Sequence, residues 1–384
     1  KIGRLQKYKM NILWFGSVIK TDKVSVNNQQ SPASNLWQMQ QINALADLVN
    51  KIKVYSYIPL RSYPYGKLFS PVGKEYNPEM QENVCLNQIM YINIKYIREY
   101  TLAFKMIFSI ILKKDYKENQ IALFYNSSLH HRIISRFLRI FTNIKCIEII
   151  ADNYDSRSFD AHVYLSFGYY SSSIYDKKYF FDQPAFPMID QVYDNKILDK
   201  KNITYAGALS KYGGITEFAK SFISICETTK EFSDLELTIV GHGTPDPLLV
   251  EMSRHKNINF YGFVGMEKLQ EILLSSDFFV NPRPMLDENK RNFPSKIITY
   301  LQYGKPILSS ETEGLSPKYK EVLYFFDPDL NGSIESSLLD LISLKKDDLE
   351  IYRQKIISFT KMNNTQKMIK DFNKFLESMV DDKC

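Results

Sequence analysis

Three short segments bring together residue types that can hold an anion. In VNPRPMLDENKRNFPSKIITYLQYGKP, residues 280–306, a strand ends at Val280 and a polar loop carries Arg283, Lys290 and Arg291. Phe293, Pro294, Ser295 and Lys296 then stand where a helix can begin. Proline in a first helical turn leaves N–H groups pointing outward, and a lysine beside them opposes the helix dipole. A charge that weakens its own helix suggests an anionic ligand; a lysine reaching back to solvent is the plain alternative. In YAGALSKYGGITEF, residues 205–218, Gly207, Gly213 and Gly214 let backbone amides approach a phosphate at the start of a helix, with Lys211 as a counter-charge. Neither GxGxxG nor GxxxxGK[ST] is present, so this is no dinucleotide fingerprint and no Walker loop, and an ordinary strand-to-helix turn fits equally. In LELTIVGHGTPDP, residues 235–247, a Gly241-His242-Gly243 turn closes a strand. There, close backbone approach to a ligand competes with a tight loop and a solvated His242.

Metal chemistry is not expected. No acidic or histidine partner lies at ligand spacing from His242, and Cys85, Cys146, Cys226 and Cys384 form no CxxC pair. The same cysteine usage argues against a disulfide framework and for a cytoplasmic protein. The front half offers Asp152, which ends an apolar strand in CIEIIADNYDSRSFD and either faces a cleft or caps the next element. Gly16 and Ser17 after the first strand, and Ser34 and Asn35 at the next helix, are turn-forming types in similar places.

Charge is distributed unevenly. Residues 1–185 carry 24 Lys and Arg against 14 Asp and Glu, whereas residues 186–384 carry 25 against 29. In the segment Leu129–Phe141, Arg132, Arg136 and Arg139 share one helical face and Ile133, Phe137, Ile140 and Phe141 the other. A solvated arginine face over an ordinary core is one reading; docking on an anionic membrane surface is the other, which the basic front half favours. Nucleic acid is not an expected partner, because no RNP, helix-turn-helix or KH signature accompanies the charge. His130 and His131 either face a cleft or are exposed, with at least one expected at the surface.

These residues must be positioned by elements whose order is legible. Short β-branched and aromatic runs alternate with longer stretches of helical period, the mark of βα units and a parallel sheet, so the fold class is α/β. Expected strands in the front half are 11–15, 53–58, 121–125, 146–151 and 162–166, with helices at 36–49, 91–113 and 129–141. In the back half the strands fall at 203–206, 235–240, 259–261, 278–280 and 306–309, with helices between and three more helical segments beyond Asn331, the last at 365–380. A polar stretch, 193–202, reads as a linker. The start KIGRLQKYKM leads into an apolar run too short for a secretory signal, with Met10 as a candidate start and residues 1–9 as an extension. The most apolar stretch, Tyr100 to Leu112, falls short of the roughly 20 residues of a membrane span.

The order YAGALSKYGG, IVGHGTPDP, NINFYGFVGMEKLQEILLSSDFFVNPRP, FPSKIITYLQYGKPILSS resembles the back half of retaining GT-B glycosyltransferases of family 4, in particular the bacterial polysaccharide-building branch. The resemblance covers about residues 200–330. It implies two doubly wound Rossmann-like domains facing a cleft: an acceptor-binding domain over residues 1–195, a nucleotide-sugar domain over 196–362, and a helix at 363–384 packing back on the first. It implies sugar transfer from a nucleotide donor, UDP before GDP, to a surface-polysaccharide or lipid-linked glycan, without a metal and without a cofactor, in the cytoplasm or at the inner face of the membrane. By the same resemblance Lys296, Arg283 and Asp152 would carry catalysis. Gly16, Gly207, Lys211, Gly241, Gly243, Phe293, Pro294, Ser295 and Thr299 would line the donor site, with Arg132, Arg136 and Arg139 on the membrane or acceptor side. The chain departs from the family pattern at Ala208 and Gly213, where commoner members carry Arg and Lys, and at Thr299, where a glutamate holds the ribose. A non-catalytic GT-B-like binding subunit is the rival reading, and a GT-B sugar-nucleotide epimerase a third.

Overall fold

The computed structural model describes residues 10–19, 32–71, 80–152, 157–182, 202–363 and 365–381. The expected linker and the extension at residues 1–9 lie outside these, Asn202 excepted. The chain divides into two compact units: Lys1–Leu165, Ser172–Phe181 and Gln366–Cys384 form the first, and Ser166–Ser171 with Asp182–Thr365 the second.

Up to the end of the first sheet the order is β1 (Asn11–Gly16), α1 (Pro32–Ala46), β2 (Lys51–Ser56), β3 (Val84–Gln88), α2 (Ile97–Leu112), α3 (Asp115–Glu118), β4 (Ile121–Tyr125), α4 (Leu129–Phe141), β5 (Lys145–Ile150), β6 (Ala161–Tyr164), α5 (Phe167–Ser172) and β7 (Lys178–Phe180), all in the first unit except α5, which but for Ser172 belongs to the second. The seven strands are parallel in the order β3-β2-β1-β4-β5-β6-β7. Helices cover both faces of such a sheet, which is why β1, β4 and β5 read as continuous apolar runs. Trp14 and Trp37 lie in the core on one face, and Phe15, Tyr55 and Phe124 stack on the other.

The second unit runs β8 (Asn202–Ala208), α6 (Ile215–Thr228), β9 (Glu236–His242), α7 (Pro247–Met252), β10 (Ile258–Gly262), α8 (Met266–Ser275), β11 (Phe278–Asn281), α9 (Asp287–Lys290), α10 (Lys296–Leu301), β12 (Ile307–Ser310), β13 (Tyr324–Phe326), α11 (Ser333–Ile342) and α12 (Lys346–Met362). Its six parallel strands follow the order β10-β9-β8-β11-β12-β13. A last helix, α13 (Thr365–Asp381), belongs to the first unit, where Ile369, Phe372, Leu376 and Met379 are buried and Phe375 stacks on Tyr179 at 5.1 Å.

The hydropathy reading misses β3, β7 and β13, three of the four edge strands, because an edge strand is half-buried and needs no continuous apolar run. The helix expected from Tyr91 starts only at Ile97. Tyr91 donates its hydroxyl to Ile58 O (2.8 Å), and the Asn93 amide bonds Arg61 O and Lys67 O, so 91–96 braces the loop before it. Ser166–Ser171 join the second unit through polar contacts. The Ser166 hydroxyl donates to Arg291 O, Phe167 N to Gly314 O (3.2 Å), and the Tyr169 hydroxyl to Asn292 Oδ1 (2.8 Å).

Candidate functional site

In the second sheet the strand order reverses between β8 and β11, and the carboxyl edge at such a switch is where ligands settle in doubly wound folds. The helix α10 is fastened to this edge by Tyr300. Its hydroxyl accepts from Ala206 N (2.9 Å) and donates to Ala206 O (3.2 Å), while its ring stacks on Phe279 with centroids 4.5 Å apart. One turn earlier, Lys296 is laid across Gly207, where a Cβ would overlap the lysine's Cε and Nζ. The strand end therefore needs glycine at 207 if the lysine is to cross it.

Lys296 Nζ donates to the Tyr205 hydroxyl (2.7 Å) and lies 4.0 Å from the centre of that ring, and Tyr205 donates in turn to Ala208 O (2.6 Å). Among the described residues no carboxylate pairs with this ammonium. Desolvation, with the Arg283 guanidinium adding to it, pushes its pKa down to about 7. Burial raises the Tyr205 phenol well above its ordinary value, so the tyrosine meets the lysine as a neutral hydroxyl.

Beside Lys296 opens a cavity of about 210 Å³. Gly207 and Gly241 stand at its strand ends, Val240, Val264, Leu269 and Leu273 give it an apolar wall, and His242, Phe263 and Thr299 complete the lining. Thr299 is exposed, one helical turn from Lys296. An apolar slot next to an uncompensated cation suits a ligand with a flat apolar part joined to an anionic part.

Arg283 does not enter the cavity lining. It donates to Asn289 Oδ1 (2.8 Å), while Asn289 donates to Tyr212 O (3.0 Å) and Pro284 O (3.1 Å). The loop after β11 is thus tied to the 3-10 turn Lys211–Gly213, and Gly214 follows at φ 70°, where a Cβ would overlap Pro282 O. Asn281, at the end of β11, is fully buried and bonds Ser309 Oγ (2.9 Å), while its own Oδ1 has no hydrogen-bond partner among the described residues.

Of the residues singled out from sequence, Gly207, Gly241, Lys296 and Thr299 meet at one cavity. Lys211 is exposed, with its Nζ 5.1 Å from the centre of the Tyr212 ring. Gly243 takes φ 107° beyond β9. Phe293 is a core residue, its ring 5.5 Å from that of Tyr319. Pro294 is buried and Ser295 exposed, and both carbonyls are occupied: Ile297 N donates to Pro294 O (3.0 Å) and Ile298 N to Ser295 O (3.2 Å). The expected row of outward amides at this helix start is therefore partly consumed inside the turn, and the positive charge of the site resides on the lysine. Tyr205, Tyr300 and Asn289 escape the sequence reading, since an aromatic or amide in a βα unit has no marker until its partner is known.

In the first unit Gly16 ends β1, where a Cβ would overlap Gln38 Oε1. Asp152 is exposed, and its backbone amide donates to Asn126 Oδ1 (3.2 Å). Asn35 bonds both the amide and carbonyl of Ile19, two residues after Ser17, at 2.9 Å, while Ser34 lies one position before Asn35 and is partly buried. His130 and His131 are both buried, which corrects the expectation that at least one is at the surface. His130 Nδ1 lies 2.7 Å from Glu99, and although burial works to raise that carboxyl, the histidine more than offsets it and holds it at about 2. Desolvation, then the neighbouring His130, keeps His131 well below its ordinary pKa. Arg132 and Arg136 are exposed, and Arg139 pairs with Asp160 at 2.9 Å. Among the described residues no group of three His, Cys, Asp or Glu is placed to hold a metal ion, and no helix is long and apolar enough to cross a membrane.

Residues 200–341 match the family described as glycosyl transferases group 1. An uncharacterized glycosyltransferase of Methanocaldococcus jannaschii is 24% identical over 202 residues, 50% of this chain and 48% of that protein, so the chain spans about half the length of the curated relative it matches. Among solved structures, a glycosyltransferase from Rickettsia africae aligns over 98% of this chain and 100% of its own, with TM-score 0.64 and 10% identity. A structure of trehalose-6-phosphate from E. coli bound with UDP-2-fluoro glucose aligns over 96% of this chain and 99% of its own, with TM-score 0.69 and 9% identity. The N-terminal domain of Candida albicans trehalose-6-phosphate phosphatase aligns over 97% of both chains, with TM-score 0.67 and 13% identity. At these identities the likeness is one of fold: the chain has the α/β, GT-B-like architecture of two parallel sheets with alternating helices.

Proposed function

We propose that this protein is a glycosyltransferase. The second unit holds a nucleotide-sugar donor, and the sugar passes with retention of configuration, and without a metal, to a hydroxyl of a surface-polysaccharide or lipid-linked acceptor. The observation that carries this reading is the Lys296 ammonium, uncompensated by any described carboxylate and laid across Gly207 at the mouth of an apolar cavity. The match of residues 200–341 to a glycosyl transferase family supports it. The cavity receives the base, and its size, below the about 300 Å³ at which whole small-molecule sites begin, favours a pyrimidine over a purine. Lys296 then faces the diphosphate, whose charge grows as the glycosidic bond breaks, so the lysine binds the transition state more strongly than the ground state. Arg283 acts on the same anion through its field and by stiffening the loop it braces. Residence in the cytoplasm, near a membrane that bears the acceptor, accompanies this reading. A sugar-phosphate acceptor is the second reading, favoured by the trehalose-6-phosphate structures among the neighbours. Incubation with a panel of UDP-, GDP-, ADP- and dTDP-sugars, offered either lipid-linked glycans or glucose 6-phosphate, separates the two. Failure to bind or turn over every donor would instead identify a non-catalytic binding subunit.

Donor affinity is expected to fall as pH rises. The charged form of Lys296 binds the diphosphate and the free protein loses it above about pH 7, so affinity should drop by up to about tenfold per pH unit above 7 and stay level below. Lys296→Arg, which cannot deprotonate, should flatten the profile. Calorimetric titration of UDP-glucose from weakly acid to alkaline buffer checks this, and a level wild-type profile would remove Lys296 from the anion site.

Thr299 gives a second expectation. It lies on the cavity rim with an exposed side chain, one turn from Lys296. Thr299→Glu should raise donor affinity roughly tenfold, because a carboxylate accepting from ribose hydroxyls replaces a neutral contact. The gain should be absent for the nucleobase alone, which has no ribose. Equal binding of donor to both proteins would place the ribose elsewhere.

A further inference from the structure

The helix α2 is apolar on two faces, and only one of them is covered by the described residues. Leu102, Ala103, Met106 and Ile110 are buried against the first unit. On the other side Tyr100, Phe104 and Phe108 are 61%, 69% and 53% exposed, with Ile97, Ile111 and Leu112 beside them. Tyr100, Phe104, Phe108 and Ile111 recur at i, i+4, i+8 and i+11, so they form one stripe along the helix. The Phe104 and Phe108 rings stack on one another, 6.2 Å apart and nearly parallel. The helix α4 packs alongside α2, and at its end Ile140 and Phe141 are 72% and 69% exposed.

The charges carried by the two helices beside the stripe are predominantly positive. The helices α2 and α4 carry Arg98, Lys105, Arg132, Arg136 and Arg139, and Lys113 and Lys114 follow α2. Their one carboxylate, Glu99, meets His130 at 2.7 Å and pairs with Arg98 at 3.4 Å. Arg139 is neutralised by Asp160, but no described carboxylate pairs with Arg132 or Arg136. At the end of α4 a basin of about 570 Å³ is lined by Arg136, Arg139, Lys145 and Asp160 next to Ile140, so cations outnumber carboxylates there three to one.

We infer that the α2–α4 face docks on the surface of an anionic lipid bilayer, with the Tyr100–Phe104–Phe108 stripe entering the headgroup boundary and the flanking arginines and lysines contacting lipid phosphates. An aromatic stripe bordered by cations is complementary to that boundary, where apolar chains lie beneath negative headgroups. A second copy of the chain is disfavoured as occupant, because self-pairing through this face would set the same positive charges against each other. With 16 residues, about 24 Å, α2 is too short to span a bilayer core of about 30 Å, so it lies in the interface. Neither the stripe nor its charges takes part in the donor site, so this inference stands apart from the sugar-transfer reading.

The test is co-flotation of the full chain with vesicles of phosphatidylcholine, with and without phosphatidylglycerol, at low and high salt, together with analytical ultracentrifugation. The wild type should bind the phosphatidylglycerol vesicles preferentially and release them as salt rises. Phe104→Ser with Phe108→Ser should abolish binding, and Arg132→Gln with Arg136→Gln should weaken it about 25-fold. Because all four side chains are exposed, both double variants should keep the wild-type melting temperature. Wild-type protein that ignores the anionic vesicles at low salt would overturn the inference, as would binding that survives both pairs of substitutions. Self-association that disappears in the phenylalanine variant, without vesicle binding, would identify a second copy as the true occupant.

Discussion

Lys296→Ala should weaken nucleotide-sugar binding by about 1.5–3 kcal/mol, or about 10- to 150-fold, the usual worth of a hydrogen bond to a charged group. The expectation rests on what the lysine lacks. Its ammonium has a neutral phenol at 2.7 Å and an aromatic face at 4.0 Å, and neither supplies the negative charge that would compensate removal from water. Desolvation already draws its pKa down to about 7, so the folded protein holds this cation at some expense. A bound diphosphate relieves that expense, and the relief appears as affinity. The same argument predicts that the alanine variant folds as well as the wild type or better, since it removes a poorly solvated charge that no ion pair needs. A fall in affinity with an unchanged or raised melting temperature is therefore the signature of a ligand-directed lysine. A structural lysine would lower the melting temperature instead, and unchanged affinity for every nucleotide-sugar tested would remove Lys296 from the site.

Gly214→Ala should be the most damaging small substitution in the second unit, costing about 2–5 kcal/mol of stability. Two separate effects add. The residue sits at φ 70°, a conformation that costs a side-chain-bearing residue about 1–2 kcal/mol. The added Cβ would also overlap Pro282 O and crowd Pro284, at a further cost of about 1–3 kcal/mol for overpacking. Relief requires moving the loop that carries Arg283 and Asn289 away from the turn Lys211–Gly213, and donor binding should decline along with stability. Urea unfolding followed by tryptophan-independent circular dichroism measures the first effect, and a donor titration below the transition measures the second. A variant as stable as the wild type would mean that the turn is not held where it is by this close approach.

Much of this was legible before any coordinates. The alternation of β-branched runs with helical periods places β1, β2, β4, β5, β6 and the back-half strands β8 to β12; all of these but the edge strand β10 are central strands of a parallel sheet, which are covered on both faces and read as apolar runs. The same reading locates Gly207, Gly241, Lys296 and Thr299, since strand ends and helix starts in βα units fall at predictable places along the chain. It yields a lysine at a helix start and its suspicious lack of electrostatic reason. Tyr205, whose hydroxyl accepts from that lysine, is invisible there, because a hydroxyl 91 positions away in sequence becomes a partner only when β8 and α10 are packed together.

Other features belong to the tertiary structure alone. Edge strands such as β3 and β13 take their conformation from a neighbour's free hydrogen-bonding groups and leave little trace in hydropathy. Ser166–Ser171 joins the second unit through backbone contacts to Arg291 and Gly314, which no periodicity reports. His130 and His131 are polar by type yet buried, because Glu99 arrives from a different helix to hold one of them. Composition gives α2 as an apolar helix too short to cross a membrane, and nothing more. Only packing selects Leu102, Met106 and Ile110 for the core and leaves Tyr100, Phe104 and Phe108 outside, for hydrophobicity is a property of the side chain whereas burial depends on whether another element is there to cover it.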